Sequence, residues 1–438
     1  MSVAGMFKRA IAVLLCMIFI LGSLSSCSGT EEEYYYTETE EGIVLLFYKG
    51  DALEVIVPSE INGKPVIEIG SDCFLRKNMT SITIPEGVKV INSFAFKMCT
   101  GLTDITIPKS VEHIGIHAFD NTTWYKNQKE TFVIVGSGSL VKYNGVSETV
   151  IIPENVTDIA CEFGGGSVKV SSITIPDGVK YIAGNAFVGT TWRRSLKDEF
   201  AIVGDGILIK YTGEGGDITI PEGVKSISGA FYDSSKVTSV KFPSTLERIE
   251  SYSFACTSGQ VFAENGNVEP AKISKLKSLE IPNSVKHIGM SAFYNCSALE
   301  SVTISENVYS INPLTFAFCD KLSSVSMSDK VAAVTSLAFG QTSSLKNVTL
   351  SKSLIFIGDA VFFASGLESV VLPEGCKYIA GSAFAQCASL GVATIPKSVD
   401  TVIVNAFVGC SKYLVIVGKA GSAAKEFADS NGYDFKKQ

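Results

Sequence analysis

Apolar and polar positions along this chain recur with a period of about 23 residues. One unit runs Met79-Thr-Ser-Ile82-Thr-Ile84-Pro85-Glu-Gly-Val88-Lys-Val-Ile91, followed by Ala95-Phe96 and Cys99. The next begins at Leu102, and others begin at Leu276, Leu299, Leu322, Leu345, Leu367 and Leu390. Ile-x-Ile places two β-branched side chains on one face of a short strand, and proline, lacking an N–H, closes it. Ten of the 13 prolines fall in that column, from Pro58 to Pro396, so they punctuate strands and do not mark loops at random. Val and Ile then point inward from the return path, and Phe fills the far side behind a small residue. A single such coil cannot bury its apolar face, but a stack can. The pattern predicts a β-rich repeat solenoid with one parallel sheet, about a dozen coils filling Leu53 to Cys410.

A larger repeat lies inside the smaller one. Thr123-Trp124 through Phe132-Val-Ile-Val-Gly136-x-Gly138-x-Leu140-x-Lys142-Tyr143 recurs 68 residues later as Thr191-Trp192 through Phe200-Ala-Ile-Val-Gly204-x-Gly206-x-Leu208-x-Lys210-Tyr211. Two apolar runs around Gly-x-Gly predict a hairpin built into each of two coils. Caps are expected at both ends: a hairpin of Ile43–Tyr48 with Leu53–Val57, and a last strand at Tyr413–Val417 followed by helix-forming residues Ser422 to Asn431.

The first residues read as an export signal. Lys8 and Arg9 precede an uncharged apolar run, Ala10 to Leu21, too short for a membrane span. Leu24-Ser25-Ser26-Cys27 then resembles a lipobox, which implies diacylglycerol on Cys27. Glu31, Glu32, Glu33, Glu38, Glu40 and Glu41, with no basic residue among them, predict a solvated tether. The expected boundaries are therefore 1–26 signal, 27–42 tether, 43–412 solenoid and 413–438 C-terminal cap. Without Lys8 and Arg9 the chain carries 35 basic and 44 acidic residues. The body alone is close to neutral, which argues against a nucleic-acid partner.

The motif Leu-x-x-Ile-x-Ile-Pro-x-x-Val-x-x-Ile-x-x-x-Ala-Phe-x-x-Cys resembles the BspA-like, or Treponema-type, leucine-rich repeat, from about Ile43 to the C-terminus. The resemblance implies a leucine-rich-repeat fold and a surface protein, in some members an adhesin for host matrix proteins or other bacteria. It supplies no catalytic residues. The function it points to is capture of a protein ligand at the cell surface, with the membrane contacted through the lipid. A structural envelope protein is the alternative, and a polysaccharide-binding accessory or enzyme a further one.

The residues themselves offer little catalytic chemistry. There is no HExxH, Walker loop or GxSxG. His113 and His117 are four apart, but His113 shares its repeat slot with His287, so repeat position accounts for it better than metal ligation. No metal or cofactor is expected. Cys99, Cys296, Cys319, Cys387 and Cys410 each follow the repeat Phe by three, a slot filled elsewhere by Thr122, Thr190, Thr342 or Ser365. Stacked side chains point the same way, so these read as buried free thiols.

Three features are candidate contact sites. Threonine lies between the two inward positions at Thr83, Thr106, Thr174, Thr219, Thr303, Thr349 and Thr394, and serine often lies two before. In register these form a hydroxyl face, of which Thr303 and Thr349 are representative. These columns carry no aromatic stripe, so a glycan is less favoured than a protein. The second feature is the pair of corners at Trp124-Tyr125 and Trp192-Arg193-Arg194, which hold the only two tryptophans beside residues common in interfaces. The third is an insertion at Thr257 to Lys275, of polar composition.

Overall fold

The unit starting at Met79 shows how the pattern becomes a coil. In a computed structural model, which describes residues 31–164, 169–257 and 273–438, Ser81–Thr83 is a strand with Ile82 buried and Thr83 exposed. It pairs in parallel with Asp104–Thr106, Ile82 beside Ile105 and Thr83 beside Thr106, a shift of one 23-residue repeat. After Pro85 the chain turns, Val88 N–H donating to the Pro85 carbonyl, and Val88 and Ile91 are buried. The return path is itself a strand. Val90–Ile91 pairs in parallel with Lys64–Ile69 and with His113–Ile114. The fold therefore has two parallel ladders, an outer one of Ile-x-Ile strands and an inner one of return strands, where the repeat predicted one sheet. It is a β-solenoid of about 16 coils, more than the dozen expected.

The far corner of each coil has its own backbone solution. Phe94 and Met98 have φ of 64° and 62°, and Leu314/Phe318 and Leu337/Gln341 repeat that spacing. Left-handed backbone at a non-glycine residue costs about 1–2 kcal/mol. It swings the neighbouring N–H groups along the solenoid axis, where Phe96 N–H donates to the Ala118 carbonyl and Met98 N–H to the Asp120 carbonyl, both at 2.8 Å. Inside this corner the repeat phenylalanines form a column. Phe254, Phe293, Phe316, Phe339, Phe362, Phe384 and Phe407 stack with centroids 4.9–5.6 Å apart, a geometry worth about 0.5–1.5 kcal/mol per pair beyond burial. The cysteine slot serves the same corner. Cys99 Sγ–H donates to the Phe74 carbonyl of the coil before, and Cys319 and Cys410 do likewise to Phe293 and Phe384. No disulfide joins the described cysteines, and burial pushes the Cys99 and Cys376 thiols up to about 12, so those two sulfurs are structural and chemically quiet.

Both duplicated hairpins form. Phe132–Val135 pairs antiparallel with Ser139–Tyr143, and Phe200–Val203 with Ile207–Tyr211, each with one bulge at the same place. The second strand of each joins the inner ladder, pairing in parallel with Asp158–Ile159 and Ser226–Ile227. Hairpins thus add inner rungs without outer ones, which raises the coil count and interrupts the outer ladder between Thr106 and Thr149 and between Thr174 and Gly216.

The ends depart from expectation. Tyr34–Glu38, placed by composition in a solvated tether, is a strand pairing antiparallel with Ile43–Tyr48. Its single acidic residue, Glu38, faces outward while Tyr34 and Tyr35 are buried. Tyr34 packs on Tyr48 and Phe74 and so closes the aromatic column. Ile43–Tyr48 does not form a hairpin with Leu53–Val57. It joins the inner ladder beside Lys64–Ile69, while Glu54–Ile56 starts the outer ladder beside Ser81–Thr83. At the other end Val415–Gly418 is a strand and Ala423–Asn431 a helix, as predicted, and Phe427 covers Phe407 at 5.5 Å. Asp434–Lys437 adds a final parallel strand. The signal, Cys27 and most of the insertion at Thr257 to Lys275 lie outside the described residues.

The solenoid curls so tightly that its inner face meets itself. Phe47 packs on Phe356 and Tyr378, Phe94 belongs to one apolar cluster with Met290, and Asp72 accepts a hydrogen bond from the Ser336 N–H. Ser71 donates to Asn312, and Arg76 pairs with Asp359 at 3.1 Å. Curvature of this kind pinches neighbouring coils on the inside. At Gly184 a Cβ would overlap the Ser251 carbonyl oxygen, and at Gly115 the Ser93 N–H, so no larger residue fits there.

Candidate functional site

Closure of the inner face leaves the outer ladder and the hairpin corners as the long accessible surfaces. The outer column is as predicted at Thr83, Thr106, Thr174, Thr219, Thr303 and Thr349, all exposed. Thr303 stands between Glu280 and Ser326 in the ladder. The face is not purely hydroxyl. Ile151 pairs beside Thr174 and Val371 beside Thr394, and these aliphatics are 66% and 63% exposed. Asp104, Lys241 and Glu280 add charges. Thr349 lies in a coil that has no outer strand, so it continues the column without being held by a ladder.

The two corners form five-residue helices, Thr123–Asn127 and Thr191–Ser195. Thr122 and Thr190, from the repeat's cysteine slot, cap them by accepting from the N–H of Tyr125 and Arg193. Trp124 packs edge-on over Phe119 and Trp192 over Phe187, both at 5.0 Å. Each tryptophan therefore closes its own segment of the phenylalanine column. Arg193 is also internally engaged: its Nη2 donates to the Gly229 carbonyl at 2.7 Å and its Nε to that of Ile209 at 3.4 Å. Tyr125 is half-buried, its hydroxyl 3.3 Å from the Val141 carbonyl. Arg194 is exposed. Beside Tyr125 a recess of about 280 Å³ opens between the coil walls.

The inner face holds a polar cluster that the spacing of its residues did not reveal. Arg248 donates from Nε to Glu250 at 2.5 Å and meets His113 Nε2 with Nη2 at 3.1 Å, its guanidinium over the Tyr181 ring. Guanidinium nitrogens only donate, so His113 Nε2 accepts and its proton sits on Nδ1, facing Asp158 at 3.3 Å. Asp158 also accepts the Ile114 N–H. His287 Nε2 lies 4.0 Å from Glu250. Glu68 accepts from Asn92, and its carboxyl is pushed up by burial, offset by hydrogen bonds from Tyr309 and Asn92. His113, Glu250 and His287 each offer a potential metal-ligating atom within 4.8 Å of the others, but the cation present among them is the Arg248 guanidinium. The shared slot of His113 and His287 was visible in sequence; that five or more coils of curvature bring them together was not. His117, by contrast, pairs locally with Asp120 at 2.8 Å.

A family model described as the BspA type leucine rich repeat region matches residues 67–193, 210–270 and 271–391, in six copies. The chain belongs to that family. No curated protein matches it. Among solved structures, this BspA-type chain is similar to a leucine-rich repeat protein from Bacteroides ovatus, at 20% identity over 94% of this chain and 99% of that one, with a TM-score of 0.36. It is also similar to a leucine rich cell surface protein from Faecalibacterium prausnitzii, at 22% identity over 92% and 97%, with a TM-score of 0.25. The pneumococcal vaccine antigen PcpA matches at 14% identity over 92% and 98%, with a TM-score of 0.35. No helix among the described residues is long and apolar enough to cross a membrane.

Proposed function

We propose that this BspA-type protein captures a protein ligand at the bacterial cell surface, on its outer face and hairpin corners. One observation carries the reading. Much of the inner face is taken up by contacts between its own coils, while the outer column mixes threonine hydroxyls with exposed Ile151 and Val371. Hydroxyls beside aliphatic side chains suit a protein surface, which has both amide and apolar groups to offer, better than a sugar, which stacks on aromatic rings. Leucine-rich-repeat proteins in general bind proteins, and the reading is non-catalytic. The body for binding assays should begin at Glu31, because a start at residue 42 would remove the strand that buries Tyr34. Residues 31–438 are expected to bind a host matrix protein or bacterial surface protein saturably, with little dependence on salt. Thr303→Arg with Thr349→Arg, at exposed sites, should weaken that binding at least tenfold without lowering the melting temperature. Self-association with no external ligand would favour the envelope-scaffold reading instead.

Attachment completes the proposal. The apolar run ending at Leu24-Ser25-Ser26-Cys27 supports export and acylation of Cys27, after removal of residues 1–26. Mass spectrometry of membrane-extracted protein should show a lipidated N-terminal cysteine, and Cys27→Ala should release the protein. Unchanged membrane retention of that variant would rule the anchor out.

A further inference from the structure

The two hairpin corners are copies offset by 68 residues, so each serves as a control for the other. Tyr125 and Arg193 occupy equivalent positions, as do Val141 and Ile209, and Cys161 and Gly229. Both side chains reach the equivalent first carbonyl, Tyr125 through its hydroxyl to Val141 and Arg193 through Nε to Ile209. Only arginine continues further, to the Gly229 carbonyl. In the first copy the corresponding space is the recess of about 280 Å³, and Cys161 lines it.

The linings differ in the matching sense. Asp120 and Glu162 line the open recess, where the filled copy has Val188 and Ala230. The copy that contains a guanidinium has no carboxylate at these positions, and the copy that lacks one has two. Asp120 is held by His117 Nδ1 at 2.8 Å, and Glu162 accepts from Asn185 at 2.5 Å, so both carboxylates are positioned while keeping acceptor capacity. Lys142 also lines the recess, but its ammonium is committed to the carbonyls of Tyr125 and Gln128. Its counterpart Lys210 makes the same kind of contacts, to the carbonyls of Arg193, Arg194 and Leu196, directly beside the Arg193 side chain. A lysine at this position is therefore compatible with a neighbouring guanidinium.

We propose that the recess beside Tyr125 binds the guanidinium of an arginine side chain presented by a protein partner, in the space that Arg193 fills from within in the second copy. Its planar donors suit carboxylate and carbonyl acceptors together, and the half-buried rings of Tyr125 and Tyr143, which line the recess, offer an apolar wall for the aliphatic stem. The inference deepens the protein-capture reading by naming the side chain recognised.

The test uses the full chain and three small probes: Nα-acetyl-arginine amide, its lysine analogue and its uncharged isostere from citrulline, with binding followed by NMR titration. Saturable binding of the arginine probe is expected, with the lysine and citrulline probes at least tenfold weaker. Tyr125→Arg should fill the recess as Arg193 fills its copy, and abolish binding with no loss of melting temperature. Asp120→Asn with Glu162→Gln, which keeps the shape, should weaken binding at least tenfold. Equal binding of the citrulline probe, or full binding by a folded Tyr125→Arg protein, would overturn the proposal. Probe binding that survives Thr303→Arg with Thr349→Arg separates this recess from the outer column, so each idea can fail alone.

Discussion

Phe293→Ala is expected to cost about 3–5 kcal/mol, the range for removing a fully buried phenylalanine when transfer and cavity terms add. Phe293 is completely buried and stacks on Phe254 at 5.3 Å and on Phe316 at 5.4 Å. The stacked column leaves no side chain free to collapse into the gap, since each ring is held by the next. In a solenoid the loss falls first on the adjoining coils. Hydrogen exchange should therefore rise around Phe254 and Phe316, while the C-terminal coil at Phe407, five rings along the column, keeps its protection. Thr303→Ser, at an exposed position ten residues along, should stay within about 0.5 kcal/mol. Unchanged exchange and melting in Phe293→Ala, with unfolding in Thr303→Ser, would mean that inside and outside of the coil are reversed.

Arg248→Met is expected to be as damaging, for an electrostatic reason. Arg248 is the cation that satisfies buried Glu250 and the acceptor nitrogen of His113. Removing one partner of a buried pair typically costs about 3–5 kcal/mol, because the other charge stays buried and uncompensated. Adding Glu250→Gln should recover part of the loss, which separates charge from packing in urea titrations. If the double variant were no more stable than the single, the ion pair would not be the source of the effect. Acid should stress the same cluster. Burial, then the Arg248 charge, hold His287 well below the usual histidine range, so the folded chain needs it neutral while the unfolded chain titrates near pH ~6.5. Its contribution is complete above that pH and is lost as pH falls below it, by up to about 1.4 kcal/mol per unit. Asp72 works in the opposite sense, because burial raises its carboxyl to about 6 and its protonation favours the fold. Subtraction isolates the histidine: between pH 7 and pH 5 the native protein should lose more stability than His287→Gln. Equal losses would remove His287 from the account.

The repeat chemistry was legible from residue order because each coil is a local object. Ile82, Ile84, Val88, Ile91 and Phe96 point inward in any stack of such coils, and Thr83 and Thr303 point out, whatever the curvature. The hairpin duplication and the C-terminal helix were legible for the same reason, being set by glycines, alternation and composition within a short window. The N-terminal tether was misjudged because six acidic residues outweighed Tyr34 in a count of composition, whereas one strand edge lets the acids face water while Tyr34 closes the aromatic column. Other features depend on curvature, a sum of small differences between coils that no single repeat encodes. Only the tertiary structure decided that Gly115 and Gly184 sit where coils pinch, that His113 meets Arg248 across 135 residues, and that much of the inner face is spent on itself. The Tyr125 recess lies between these extremes. The substitution of tyrosine for arginine between copies was in the sequence, but its meaning required seeing where the Arg193 guanidinium goes.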